Sequence, residues 1–273
     1  MKLIPFSKMS AGGNDFIIID NRQNILGPKR AKECAQKVCR RKLSIGADGL
    51  ILIEDSEKAD FKWRFFNSDG SEAEMCGNGG RCVARLSYLK GIAPHMLTFE
   101  TLVGIIKAEV LGERVKLQLP LPHNLTCDRK LVLDGKCYHV DTITVGVPHV
   151  VMCVEDLSKC EVVKLGKMIR FSEYFKPAGT NVNFVSIKDE STIAIRTYER
   201  GVEDETLACG TGAVASALIA NEKKGVESPV AALTQGGEIL TVYFTKEKQV
   251  LKEVFLEGSA NLIYEGEFYP ETP

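Results

Sequence analysis

Two cysteines open similar stretches of this 273-residue chain: Cys76 in EMCGNGGRC (74–82) and Cys209 in LACGTGAVASALIA (207–220). Each precedes a glycine-rich turn that runs into a helix-like segment. A helix start exposes unpaired backbone N–H groups and the positive end of the macrodipole. A thiolate placed there is stabilised, and its pKa can fall well below the ordinary value of about 8.5. The amides of Gly77–Asn78–Gly79–Gly80 and of Gly210–Thr211–Gly212 can close on an anion, a carboxylate or a phosphate. One such element is a weak signal, but two in one chain suggest a reaction. If the two halves face each other about a pseudo-two-fold axis, one carboxylate accepts from both helix starts. The carbon beside it then lies between two sulfurs. Proton removal on one face and return on the other inverts a stereocentre. Oriented dipoles must stabilise the charge that develops on the carboxylate. No Schiff-base lysine context is evident, and GTGAVAS lacks the G-x-G-x-x-G spacing of a dinucleotide site. The chemistry is therefore expected to need no cofactor.

The elements that must hold these cysteines form a repeat. Upstream, FKWRFFNSDGSEAEMC matches IAIRTYERGVEDETLAC: alternating apolar and polar residues, an acidic turn, then the thiol. Downstream, small residues lead into apolar residues at helical spacing that stop at Gly91 or Gly225. Two β-rich runs around a glycine follow in each half, HMLTFETLVGIIKAEVL and PVAALTQGGEILTVYF. Further upstream, GNDFIIID parallels VPHVVMCVED. The expected fold is α+β (α/β), with two pseudo-symmetric domains, each a mostly antiparallel or mixed sheet wrapped around a central helix. The N-terminal domain, 1–121, carries Cys76 and is expected to be completed by a C-terminal strand at 263–273. The C-terminal domain, 122–262, carries Cys209. The joint falls near LPLPHN (119–124), where two prolines interrupt the pattern.

Composition removes several function classes. A net charge of −1 with 26% charged residues gives no basic excess for nucleic acid, and the RRK cluster at Arg40–Lys42 reads as a solvated face. No apolar run approaches the ~20 residues of a membrane span. The N-terminus breaks early on Pro5 and Gly12 and is no secretory signal, so a cytoplasmic protein is expected. Nine cysteines with no C-x-x-C pair, and four scattered histidines, argue against both a disulfide framework and a metal site. Most of these cysteines, Cys82 included, read as small buried hydrophobes.

Together GGNDF, GADG, FFNSDGSEAEMCGNGGRC, GTNVNF, YERG and ETLACGTG resemble the diaminopimelate epimerase family over nearly the whole chain. That resemblance implies a cofactor-independent amino-acid racemase with two pseudo-equivalent domains, interconverting LL- and meso-diaminopimelate for lysine and peptidoglycan biosynthesis. It implies Cys76 and Cys209 as the acid/base pair. Gly77, Asn78, Gly210 and Thr211 would hold the α-carboxylate. Asn14, Asn67, Asn181, Glu199 and Arg200 would contact substrate, with Arg200 suited to the distal carboxylate and Glu199 to an ammonium. His149 and Glu199 would tune the thiols. The implied partner is a small-molecule amino acid, not nucleic acid or membrane, with a homodimer as a further option. Three positions depart from the family pattern: Val147 stands where an asparagine is usual, Gly49 where some members carry glutamine, and ERGVEDETLAC is one residue longer than usual. Losing one polar contact costs on the order of 1 kcal/mol of binding, so looser distal recognition, with weak turnover of glutamate, is expected.

Other readings stand beside this one. Asn67 and Asp69 also suit a plain turn, His149 a satisfied core histidine, and Glu199–Arg200 an exposed pair worth little. Another two-thiol racemase acting on proline or hydroxyproline is an alternative, although YERG speaks against a monofunctional ring substrate. A thiol redox sensor and a binding module without chemistry are the others.

Overall fold

The structure, a computed structural model, describes residues 3–269. The chain divides into two compact units: one runs to Gln118 and takes in the segment from Gly258 onward, and the other is Leu119–Glu257. Within the expected C-terminal strand, positions 270–273 lie outside the described residues, and the observed strand is Asn261–Phe268.

The first unit contains β1 (Ile4–Ala11), β2 (Asn14–Asp20), α1 (Pro28–Val38), β3 (Gly49–Glu54), β4 (Phe61–Asn67) and β5 (Glu72–Ala73). Then come α2 (Gly77–Leu89), β6 (Met96–Thr101), β7 (Gly104–Leu111) and β8 (Arg114–Gln118). The second unit contains β9 (His123–Leu133), β10 (Lys136–Val145), β11 (Val147–Cys153), α3 (Val162–Arg170), β12 (Asn181–Ile187), β13 (Thr192–Glu199) and β14 (Asp204–Thr206). It continues through α4 (Gly210–Lys224), β15 (Val230–Leu233), β16 (Ile239–Glu247) and β17 (Val250–Ser259), whose last residues and β18 (Asn261–Phe268) belong to the first unit.

The repeat extends to every strand pairing. In the first unit β1 pairs antiparallel with β18 and β2, β2 pairs parallel with β3, β3 antiparallel with β4, and β4 parallel with β6. In the second, β10 pairs antiparallel with β9 and β11, β11 parallel with β12, β12 antiparallel with β13, and β13 parallel with β15. Each parallel pair is bridged by a helix, which is the geometry a parallel connection needs. The mixed α+β architecture expected from the sequence is therefore present twice.

A second helix per unit is the difference from one central helix per half. In α1, Ala31, Ala35 and Val38 recur at helical spacing and bury against Ile17, Ile19, Leu50 and Leu52. In α3, Val162 and Ile169 bury against Val150, Val182, Phe184 and Tyr198. Both helices are short, and each buries only a narrow apolar stripe, so the pattern is faint in the sequence.

The central helices differ from them in kind. From Gly212 to Ala220 every residue of α4 is buried, and α2 buries eight residues, Arg81 included. A helix that is apolar nearly all round must be enclosed. Strand alternation then sorts each sheet into two faces. Phe16, Ile51 and Trp63 face α2, where a Cβ on Gly79 would lie 3.2 Å from Ile51 and 3.4 Å from Trp63. Phe61 and Phe99, with ring centroids 5.3 Å apart, extend that core. In the second unit Tyr198 faces α3 against Gly166, while Asn183 and Thr197 face α4 against Gly212.

Candidate active site

In the first unit, Cys76 is the N-cap of α2, with extended backbone (φ −144°, ψ 116°). Its Sγ accepts from the Gly79 amide at 3.4 Å, and its carbonyl accepts from the Gly80 amide at 2.8 Å. Cys76, Gly77 and Asn78 each keep partial exposure at the mouth of the helix.

Asn78 is held from both sides. Arg81, fully buried one turn into α2, donates to Asn78 Oδ1 at 2.8 Å, and Asn78 Nδ2 donates to Asn14 Oδ1 at 2.8 Å. Asn14 Nδ2 in turn donates to Asp48 Oδ2 at 3.0 Å, and Arg41 bonds both Asp48 and Asp15. The β1–β2 hairpin admits this network because Gly12 and Gly13 both have positive φ, the pattern of a type I′ turn. A Cβ on Gly12 would lie 2.9 Å from Asn78 Oδ1.

Asn67 ends β4 on the face that meets α2. It also builds the turn 67–71: Asn67 Nδ2 donates to Ser71 Oγ at 3.0 Å, and Asp69 accepts from the Ser71 amide at 2.8 Å. Gly49 lies directly across β3–β4 from Asn67. A Cβ at Gly49 would meet the Phe65 ring at 2.4 Å, so an aromatic ring fills the space that a side chain at 49 would take.

In the second unit, Cys209 is the N-cap of α4, also extended (φ −127°, ψ 109°), and 6% exposed. Its Sγ lies 3.7 Å from Thr211 Oγ1 and 3.2 Å from the position of a Cβ on Gly212. Odd-numbered positions of β11, β12 and β13 bring Val147, His149, Asn181, Asn183, Thr197 and Glu199 to the α4 face. Thr197 donates to Asn183 Oδ1 at 2.9 Å, and Asn183 Nδ2 reaches Val150 O at 2.9 Å and His149 Nδ1 at 3.1 Å. Asn181 Oδ1 accepts the Arg200 amide at 2.7 Å, and Thr206 donates to Glu199 Oε2 at 2.9 Å. Arg200 also donates to Ala178 O at 3.0 Å, so it is no simple exposed partner of Glu199.

The turn after Arg200 is pinned by Glu203, which sits at φ +60° and accepts from the Gly201 amide at 3.0 Å and from Arg170 at 3.0 Å. A cavity of about 220 Å³ is lined by Thr142, Thr144, Pro148, Phe175 and Thr180 together with His149. Thr142, Thr144 and Pro148 occupy the even-numbered positions that face α3, so most of this cavity lies across the sheet from Cys209.

The electrostatics correct one expectation from the sequence. Burial, not the helix start, dominates both thiols: it pushes Cys76 above the ordinary thiol value, and the Gly79 and Asn78 amides and Arg81 pull back only in part. Cys209 is pushed up to about 12, by burial first and then by the Glu199 carboxylate. Burial also raises Glu199 above the usual carboxylate value, against the Thr206 hydrogen bond. His149 is pushed down to about 3 by burial and by Arg200, so it stays neutral at physiological pH. Charge separates the thiols: a buried guanidinium lies one turn beyond Cys76, whereas Cys209 faces a carboxylate. No group of three or more metal-ligating side chains occurs among the described residues, and no helix there is long and apolar enough to cross a membrane.

Arg81, Asp48, Asn183, Thr197 and Thr206 join these networks without belonging to the residue set that the sequence motifs single out. Arg81 and Asn183 do carry a signal, since each is a polar residue at an interior position of an apolar helix or strand.

The diaminopimelate epimerase family model matches residues 6–119 and 142–263. A diaminopimelate epimerase of Aquifex aeolicus is 49% identical over 97% of this chain and 98% of its own, and one of Archaeoglobus fulgidus is 40% identical over 96% and 95%. Among solved structures, a Bacillus anthracis phenazine biosynthesis protein of the PhzF family matches with a TM-score of 0.72 at 20% identity, over 98% of this chain and all of that one. A hydroxyproline epimerase from Agrobacterium vitis matches with a TM-score of 0.67 at 14% identity, over 97% and 92%. At those identities the structural matches establish the fold alone. With the family model covering both repeats and both cysteine-capped helices, the chain belongs to the diaminopimelate epimerase family.

Proposed function

We propose that this chain interconverts LL- and meso-diaminopimelate by a two-thiol proton transfer without a cofactor, in lysine and peptidoglycan biosynthesis. One cysteine removes the α-proton as thiolate, and the other, as thiol, returns a proton to the opposite face. Cys76 and Cys209 fill these roles, and Gly77, Asn78, Gly210 and Thr211 offer amides to the α-carboxylate. Charge that builds on that carboxylate is stabilised by donors already oriented at the helix starts. Asn14, Asn67, Asn181, Glu199 and Arg200 contact substrate, and His149 and Glu199 bias the protonation of the thiols. The observation that carries this reading is the cysteine N-cap, built twice on a repeated topology in a chain of this family. Raised thiol pKa values weaken the redox-sensor reading, because sensor cysteines are low-pKa thiolates.

We also propose looser recognition at the distal end of the substrate. Val147 presents an apolar side chain beside His149 on the α4 face, and Phe65 fills the space over Gly49.

The test is incubation of the purified chain with LL-diaminopimelate in D2O under reducing conditions, with no added cofactor. Formation of the meso isomer carrying deuterium at Cα supports the proposal. Unchanged LL isomer with no Cα deuterium contradicts it.

A further inference from the structure

His149 is 1% exposed, and its Nε2 has no hydrogen-bond partner among the described residues. An imidazole in that position can act as a base through a lone pair or as a donor through an N–H, depending on its tautomer. The surroundings decide which. Asn183 Nδ2 lies 2.9 Å from Val150 O, and a backbone carbonyl can only accept. Turning the Asn183 amide over would bring two oxygens to that distance and leave Thr197, now a donor to Oδ1 at 2.9 Å, facing an NH2 group. The amide is therefore fixed with its nitrogen toward Val150 and His149. One N–H serves Val150 O and the other points at His149 Nδ1, 3.1 Å away. Nδ1 must then be the lone pair, which leaves the proton on Nε2.

We infer that Asn183 is a positioning residue that locks His149 in its Nε2–H tautomer, so that the imidazole serves the reaction as a neutral hydrogen-bond donor to an anion and not as a base. Asn183 Oδ1 comes within 2.3 Å of a Cβ position on Gly212, the third residue past Cys209, so the lock sits against the start of α4. Glu199 and Cys209 share the α4 face with His149, Asp141 and Cys153 lie further along that face with Asp141 paired to Lys223 of α4, and Arg200 directly follows Glu199 at the end of β13. Burial first, and Arg200 second, oppose a positive imidazole and depress the His149 pKa. A neutral N–H donor can stabilise negative charge without supplying a proton that would quench a thiolate. Its role for the diaminopimelate α-carbon rests on the proposed function, whereas the tautomer does not.

The experiment is two-bond 1H–15N correlation spectroscopy of the full chain with 15N-labelled histidine between pH 6 and 9, with His149 identified by its loss in His149→Gln. The expected spectrum has a protonated Nε2 and a bare Nδ1 throughout. Asn183→Asp places an oxygen opposite Nδ1 and is expected to move the proton to Nδ1. It should lower kcat about 100-fold or more with KM within about threefold, a split that marks loss of a transition-state interaction. Tautomer reversal in a serine protease triad costs about 10⁴ in kcat. A wild-type His149 protonated on Nδ1, or titrating near 6.5, overturns the inference even where Asn183→Asp fails to fold. Asn183→Asp with an unmoved proton and near-wild-type kcat overturns it as well. The expected tautomer in a chain that leaves diaminopimelate unchanged refutes the proposed function but not the lock.

Discussion

Arg81 reaches back from the buried middle of α2 to hold Asn78 Oδ1 at 2.8 Å, and at the equivalent place in α4, five residues past the cysteine, stands Val214. The two halves share a topology but not an electrostatic environment. One guanidinium both orients the amide beside Cys76 and lends that thiol positive potential, whereas Cys209 works beside Glu199. The account therefore favours Cys76 as the sulfur that more readily becomes thiolate.

Arg81→Met tests this asymmetry. Hydrogen bonds to charged groups contribute about 1.5–3 kcal/mol, so stability in urea should fall measurably. The free-enzyme groups report in kcat/KM, and its acid limb should move to higher pH as Cys76 loses a positive neighbour. Arg81→Lys, which keeps the charge but not the fork, should move that limb less while still lowering kcat. An unmoved limb in Arg81→Met would show that the guanidinium has no electrostatic role.

The glycines three residues past each cysteine make an internal comparison. A Cβ on Gly212 would lie 2.3 Å from Asn183 Oδ1 and 3.2 Å from Cys209 Sγ, whereas one on Gly79 would meet only side-chain carbons, the nearest at 3.2 Å. Gly212→Ala should lose activity by tenfold or more, because the amide and the sulfur must both shift. Gly79→Ala should act mainly through overpacking, at about 1–3 kcal/mol of stability. Initial rates and urea midpoints on the two variants check this, and equal losses of activity would contradict it.

His149 predicts an acid sensitivity. Its folded-state pKa of about 3 lies below the unfolded value of 6.5, so the unfolded chain binds the proton first. Its contribution is fully present above pH 6.5 and is lost as pH falls through the window from there to about 3. The loss amounts to roughly 2 kcal/mol between pH 7 and pH 5, at about 1.4 kcal/mol per pH unit. His149→Gln should flatten the dependence of urea stability on pH over that range by this amount. Parallel curves for the two proteins would mean that His149 is not held neutral.

Looser distal recognition predicts slow exchange of the glutamate α-hydrogen with solvent, well below the rate for diaminopimelate. Val147→Asn should widen the preference for diaminopimelate by placing a polar side chain on the α4 face. Absence of any glutamate exchange at high concentration would remove the idea.

Much of this architecture was legible because the repeat doubles each weak signal. Alternation through FKWRFFN and TIAIRTYE, glycine stops at 91 and 225, and cysteine before glycine all recur in order. The helices α1 and α3 were not legible: α1 sets four small apolar residues among lysines and an arginine, and α3 is only nine residues long with Gly166 in its middle. At the site, Cys76 and Cys209 announced themselves, but the direction of their pKa shifts did not. A helix start lowers a thiol pKa locally, while the opposing burial depends on long-range packing that spacing cannot reveal. Asn183 and Arg81 stand out as polar residues in apolar elements, but their roles were hidden, because their partners Val150, Thr197 and Ser259 come together only in the fold.

The most direct measurement is epimerisation by Cys76→Ala and Cys209→Ala, each followed by the meso and LL isomers formed from either substrate in D2O. The account predicts that each variant loses interconversion by at least about 10³-fold while still binding substrate, since each lacks one of the two proton-transfer groups. Near-wild-type interconversion by either variant would contradict it.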